Sequence, residues 1–237
     1  DYDPLPFTQA RITALADDKS SIDFEILDGY PENLVQRIEI FDGRTHLLKT
    51  PTRYDWQPLK ALGSRRYRVR KGENYRYDPA ADLEEIGDIL ITNSEYTPGG
   101  SIPHALFTNA SKDVVYEDLT FYGSNCFTYF EANCDGTTYR RCTIDRRSPE
   151  DDLKKRAVRR IRSSDADAFH SKYAVRGPRI LSCTAKYQGD DCVNICGDYH
   201  MVMQSDGPRL RVLAKHSMDI DEGDPVELFT YEGIRLP

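Results

Sequence analysis

Hydrophobic and polar residues alternate with a period of two through the first part of the chain. ARITAL (from Ala10), SIDFEIL (from Ser21), QRIEIFD (from Gln36), RYRVR (from Arg66) and GDILIT (from Gly87) each put apolar side chains on one face of a strand. Turn-forming clusters separate them: DDKS, DGYPEN, FDGRT and GEN. Helical signals are scarce, and PAADLEEI reads as one short turn at most. Residues 1–97 are therefore expected to form a small antiparallel β-barrel or sandwich.

From residue 98 the pattern changes from alternation to repetition. Val115-Tyr116-Glu117-Asp118-Leu119-Thr120-Phe121 aligns with Thr138-Tyr139-Arg140-Arg141-Cys142-Thr143-Ile144 at an offset of 23. Arg141-Cys142-Thr143 meets Ser182-Cys183-Thr184 at an offset of 41, which is one such period plus an 18-residue insertion in RRSPEDDLKKRAVRRIRS. A repeat of this length, rich in β-branched and aromatic residues and lacking the LxxLxLxxN signature, predicts a right-handed parallel β-helix over residues 98–200. Residues 201–237 return to the first style. Glu85-Ile86-Gly87-Asp88 and Asp221-Glu222-Gly223-Asp224 share an acidic–Gly–Asp pattern before an apolar stretch, so a second barrel-like element is expected to start here. The fold class read from these patterns is all-β, a parallel helix interrupted by antiparallel elements.

Stacked coils bring residues distant in sequence side by side, about 4.8 Å apart. Asp167 and Asp190 stand at the same offset of 23, so these two are expected on neighbouring coils, with Asp191 beside them. On a regular strand Asp191 would point into the core at high cost, so a bend at Gly189 is expected to turn both carboxylates outward. Clustered carboxylates repel, which raises at least one pKa. One protonated and one ionised carboxyl are what glycoside hydrolysis needs, and diverging side chains suit the wide gap of an inverting pair. Glu131, His170, Arg176, Arg147 and Asn194 are candidate sugar contacts. Asn194 reads equally as an interior amide ladder and Glu131 as a solvated surface group. Tyr173 and Tyr187 flank the patch as candidate stacking rings, whereas His104 and His200 read as structural.

Composition narrows the partners. The net charge is −7, and no basic block carries interleaved aromatics, which argues against nucleic acid. No stretch approaches the roughly 18–20 apolar residues of a membrane span. The run Arg65–Lys71 alternates and reads as one strand face. The six cysteines lack paired CxxC spacing; Cys142 and Cys183 occupy equivalent repeat positions and read as stacked interior residues, with a disulfide as the alternative. The chain opens at DYDPLPF without Met, which reads as a mature or excised portion of a longer protein.

SDADAFHS followed by GDDCVNICG resembles the catalytic core of right-handed β-helix glycoside hydrolases. Family 28 polygalacturonases carry an NTDG motif and then a DDC segment. Family 110 α-1,3-galactosidases are closer, with NADGFH followed by DDxxNxxG and a β-helix interrupted by barrels. Asp167, Phe169, His170, Asp190, Asp191, Asn194 and Gly197 match that pattern; Ala168 stands in place of its Gly, and the GHG and RIK motifs of the pectinases are absent. The resemblance implies an inverting exo-acting enzyme, secreted or periplasmic, that releases a terminal sugar such as galactose. It implies a carbohydrate substrate and catalysis by Asp167, Asp190 and Asp191, with Asp190 as acid. No metal or organic cofactor is expected, because oxocarbenium chemistry takes two carboxyls, a positioned water and sugar contacts. Homo-oligomer formation stays open. The competing expectations are a calcium-dependent lyase or epimerase with Arg176 as base, and a carbohydrate-binding β-helix without catalysis.

Overall fold

The computed structural model describes residues 7–32, 37–50, 56–93, 103–215, 218 and 220–236. The fold is all-β. Among the described residues there is one short helix, and no helix is long and apolar enough to cross a membrane.

The alternating segments build one antiparallel sheet. Its strands are β1 (Phe7–Leu15), β2 (Ser21–Ile26), β3 (Arg37–Phe41), β4 (Leu48–Thr50), β5 (Lys60–Gly63), β6 (Arg66–Arg70) and β7 (Ile89–Asn93), in the order β4-β3-β7-β1-β2-β6-β5. β2 shows why the pattern works. Ile22, Phe24 and Ile26 are buried, while Asp23 faces out and pairs with Arg68 directly across the ladder. The expected barrel is an open sheet here: among the described pairings, the edge strands β4 and β5 do not meet. PAADLEEI forms no helix. Its Asp82 and Glu84 turn inward and hold the buried Lys71 ammonium, with Asp82 Oδ1 at 2.7 Å. The expected junction at residues 97/98 lies outside the described residues.

The repeating segments stack in parallel. They comprise β8 (Leu106–Asn109), β9 (Val115–Glu117), β10 (Thr120–Phe121), β11 (Tyr129–Ala132), β12 (Thr138–Arg140), β13 (Thr143–Ile144), helix α1 (Pro149–Leu153), β14 (Phe169–Lys172), β15 (Arg179–Leu181), β16 (Thr184–Ala185) and β17 (Val193–Cys196). Three parallel sheets result, ordered β8-β11-β14-β17, β9-β12-β15 and β10-β13-β16. The aligned segments pair in the register their sequences indicate: Val115 opposite Thr138, and Thr143 opposite Thr184. The chain bends after strands of the first two sheets with left-handed residues. Ala110, Asn133 and Tyr173 form one such column, and Asp118, Arg141 and Ser182 another, with φ between 46° and 58°. Non-glycine residues rarely adopt this conformation, so the stack has to hold it in place.

The interior of the stack is aromatic and thiol-rich. Tyr129, Tyr139, Phe169, Cys142 and Ile144 are buried together, and Cys142 N–H approaches Cys183 Sγ at 3.4 Å. All six cysteines are free thiols. The insertion is structural. Ser148 caps α1, whose first residue is Pro149. Asp152, fully buried, binds Arg156 and the Arg160 N–H, and the following chain docks on the antiparallel sheet through Tyr30 OH to Val158 O (2.7 Å) and Ile161 N–H to Gln9 Oε1 (2.5 Å). The two regions thus form one compact unit, residues 1–196.

Residues 197–237 form a second unit. It holds an antiparallel hairpin, β18 (Met201–Asp206) and β19 (Arg209–Leu213). Its 221–224 turn repeats the one at 85–88. In both, the fourth residue's carboxylate accepts the first residue's N–H (2.9 and 2.8 Å), and the glycine has φ +98°.

Candidate active site

The carboxylates meet where the chain enters two neighbouring strands of the first parallel sheet. Phe169 pairs with Val193, and Ala168 N–H donates to Asp191 O at 2.9 Å. Asp191, not Asp190, is therefore opposite Asp167. The expected register is corrected by one position, because coil length is set by the turns between strands, which vary.

Asp167, Asp190 and Asp191 each place one carboxylate oxygen within 4.8 Å of the other two. The side chains converge, so the wide gap expected from diverging ones is not observed. Asp167 is buried, with 3% of its surface exposed, whereas Asp190 and Asp191 are exposed. Burial pushes the Asp167 carboxyl above the usual aspartate range. The neighbouring Asp190 and Asp191 charges add to this, and the contact with His170 opposes it. Gly189 is required by close approach: a Cβ there would sit 2.3 Å from the Asp165 carbonyl oxygen. Its backbone is not left-handed, so contact, rather than the expected conformational freedom, selects glycine.

Two of the other candidates reach the cluster. His170 Nδ1 lies 2.7 Å from Asp167 Oδ2, and Asn194 Nδ2 donates to Asp191 Oδ2 at 3.0 Å. Asn194 stands on the outer face, paired with His170, and is not an interior ladder. Three candidates are placed elsewhere. Glu131 alternates inward with Tyr129 and is buried, accepting from Ser171 Oγ (2.6 Å) and Tyr139 OH (3.3 Å); it is neither a sugar contact nor a solvated group. Arg176 lies past the far end of β14, where it binds Asp135 (2.9 Å) and Asp113 (2.7 Å). Arg147 rests over the Tyr122 ring, at 5.4 Å. Tyr173 is a left-handed corner residue, and Tyr187 stacks under Arg146 at 3.5 Å.

Sequence reading missed Phe127 and Phe130. Phe127 stacks on His170 with centroids 4.0 Å apart, and Phe130 meets the same ring edge-on at 5.4 Å. Their shared offset from Asp167 and His170 was the available signal. It was obscured because the insertion lengthens the Phe130–His170 step by one position less than the Thr143–Thr184 step. No protein-family model matches this chain, and no curated protein matches it.

Proposed function

We propose that the chain is a glycoside hydrolase working on the outer wall of a right-handed parallel β-helix, with Asp167, Asp190 and Asp191 sharing the acid and base roles. The observation that carries this reading is the convergence of the three carboxylates, one buried and two exposed, at the entrances of two neighbouring parallel strands. Asp190, exposed, protonates the departing glycosidic oxygen. Asp167 and Asp191, side by side on neighbouring strands, hold a water and take its proton as its oxygen attacks the anomeric carbon. Inversion is carried over from the motif resemblance, since the close carboxylates lack the wide gap of an inverting pair; buried Asp167 is assigned to act through the water. His170 orients Asp167, and Asn194 orients Asp191. Exo action on a terminal sugar such as an α-galactoside follows from the motif resemblance.

The test is a panel of aryl α- and β-glycosides, with the first-formed anomer followed by NMR. Release of sugar with inverted configuration, abolished in Asp190→Asn, is the expected result. Binding of glycan without turnover in either form would leave a carbohydrate-binding module instead.

A calcium-dependent lyase is the second reading, because three clustered carboxylates suit a hard cation. It is the weaker one: its base would be Arg176, which is engaged with Asp113 and Asp135 at another corner. Loss of activity in chelator, with new ultraviolet absorbance from an unsaturated product, would favour it.

A further inference from the structure

Two outward columns of the first parallel sheet change character along the stack. Strand register places Phe107, Phe130, His170 and Asn194 in one column. Just upstream of each strand, His104, Phe127, Asp167 and Asp191 form the other, tied by Ala105 N–H to Phe127 O (3.2 Å), Thr128 N–H to Asp167 O (2.9 Å) and Ala168 N–H to Asp191 O (2.9 Å). The two earlier coils contribute His104, Phe107, Phe127 and Phe130, and the two later ones Asp167, His170, Asp191 and Asn194. Resting on the hydrolase reading above, we infer that the aromatic half binds the sugars adjoining the one that is cleaved, and that the substrate is an uncharged glycan.

The ring array is pre-assembled. Phe127 stacks with His104 (5.1 Å, 4°) and with His170 (4.0 Å, 13°). Phe130 stacks on Phe107 at 4.9 Å and 18°. Among the described residues Phe107 ends the row, and it is 55% exposed. A rigid ring open to water loses little conformational freedom on binding and offers its face to the apolar C–H face of a pyranose, whose hydroxyls stay hydrated. The Phe107 and Asp167 rungs are two strand spacings apart, about 10 Å. The array is continuous with the reaction centre, because Phe127 touches His170 and His170 touches Asp167. That continuity makes the occupant the remainder of the substrate.

Charge selects the class of sugar. Three carboxylates crowd the patch, and burial already disfavours ionisation of one of them. A uronic acid or sulfated sugar would add a like charge there. Arg176, the candidate clamp for such a group, is committed to Asp113 and Asp135.

The test uses the full chain. An array of neutral and of uronate-containing oligosaccharides is probed with the Asp191→Asn variant, with and without Phe107→Ala. Neutral oligosaccharides are expected to bind, and Phe107→Ala to weaken them about 3- to 10-fold, the range of one aromatic contact. In the otherwise native chain, the ratio of kcat/KM for the oligosaccharide to that for the aryl monosaccharide falls by the same factor. Preference for uronates, or oligosaccharide binding unmoved by Phe107→Ala, overturns the inference and leaves the hydrolase reading standing. A change in sedimentation on Phe107→Ala with no change in binding overturns it too, by showing a second copy of the chain on the rings. Turnover of no sugar at all removes the hydrolase reading itself, and the inference with it.

Discussion

The antiparallel sheet and the parallel stack are joined in one unit, yet they use their interiors differently. In the sheet, Ile22, Phe24, Ile38, Ile89, Leu90 and Ile91 are essentially removed from water, and register is set between strands joined directly in sequence as well as between distant ones. In the stack, the interior is a column of tyrosine, phenylalanine and cysteine with a buried Glu131 held by Ser171 and Tyr139. There every pairing spans a whole coil, so register decides which outward side chains meet. On the hydrolase reading, the first region supplies stability and the second converts register into chemistry. A core change in the sheet should therefore affect folding alone, whereas a change on the outer wall of the stack should affect turnover.

The largest expected effect is on the wall. Asp190→Asn should lower kcat by about 100- to 10,000-fold, the usual worth of a general acid, with the melting curve little changed. Steady-state kinetics on the best aryl glycoside checks this, and near-native turnover would remove Asp190 from the mechanism. Phe24→Ala tests the other side of the comparison. It should cost about 3–5 kcal/mol in chemical denaturation and leave kcat of the folded protein intact. A fall in kcat at constant folded fraction would break the division of labour.

Gly189→Ala probes the join between backbone and site. The added methyl meets the Asp165 carbonyl, so Asp190 and Asp191 must shift. A displacement of about 1 Å costs on the order of 100-fold in turnover. Circular dichroism should remain native, and retained activity would mean that the wall absorbs the methyl elsewhere.

Asp167→Asn separates activity from stability. The folded pKa of Asp167 lies above its unfolded value, so ionised Asp167 costs the native state stability once the pH exceeds that of an unfolded aspartate. The substitution should abolish turnover yet raise stability at pH 7, because it removes a carboxylate whose burial disfavours its charge. This gain should vanish as the pH falls below the unfolded aspartate value, about 4. On the hydrolase reading, the acid limb of the kcat profile of the unsubstituted chain should accordingly sit above the normal aspartate range. A loss of stability at neutral pH would contradict the burial argument. The smallest effect belongs to the exposed pair of Arg141 with Asp118 and Glu117, where Arg141→Ala should weaken folding only slightly, and less still in high salt.

Period-two alternation was enough to locate five strands of the sheet, because each apolar face is written in consecutive residues. The short edge strands β4 and β5 escaped it, being three and four residues long. In the stack, the repeat around Thr138 and Cys142 was legible because similar side chains recur at equivalent positions. The motif residues Asp167, Asp190 and Asp191 were legible too, through their spacing. Which of the pair stands beside Asp167 was not, since turns that differ by one residue leave no mark on composition.

By itself, then, the sequence determined the all-β character, the change from alternating to repeating organisation, and the three carboxylates of the candidate site. Tertiary structure alone decided the facing of each side chain. Glu131 and His170 both lie on strands of one sheet, yet alternation buries the first and presents the second. It also decided that Arg176 is spent on a distant corner and that Phe107 and Phe130 extend the column that ends in Asn194. The physical reason is that a parallel strand gains its neighbours from a full coil away, where a single added residue moves every contact to the next rung and the opposite face.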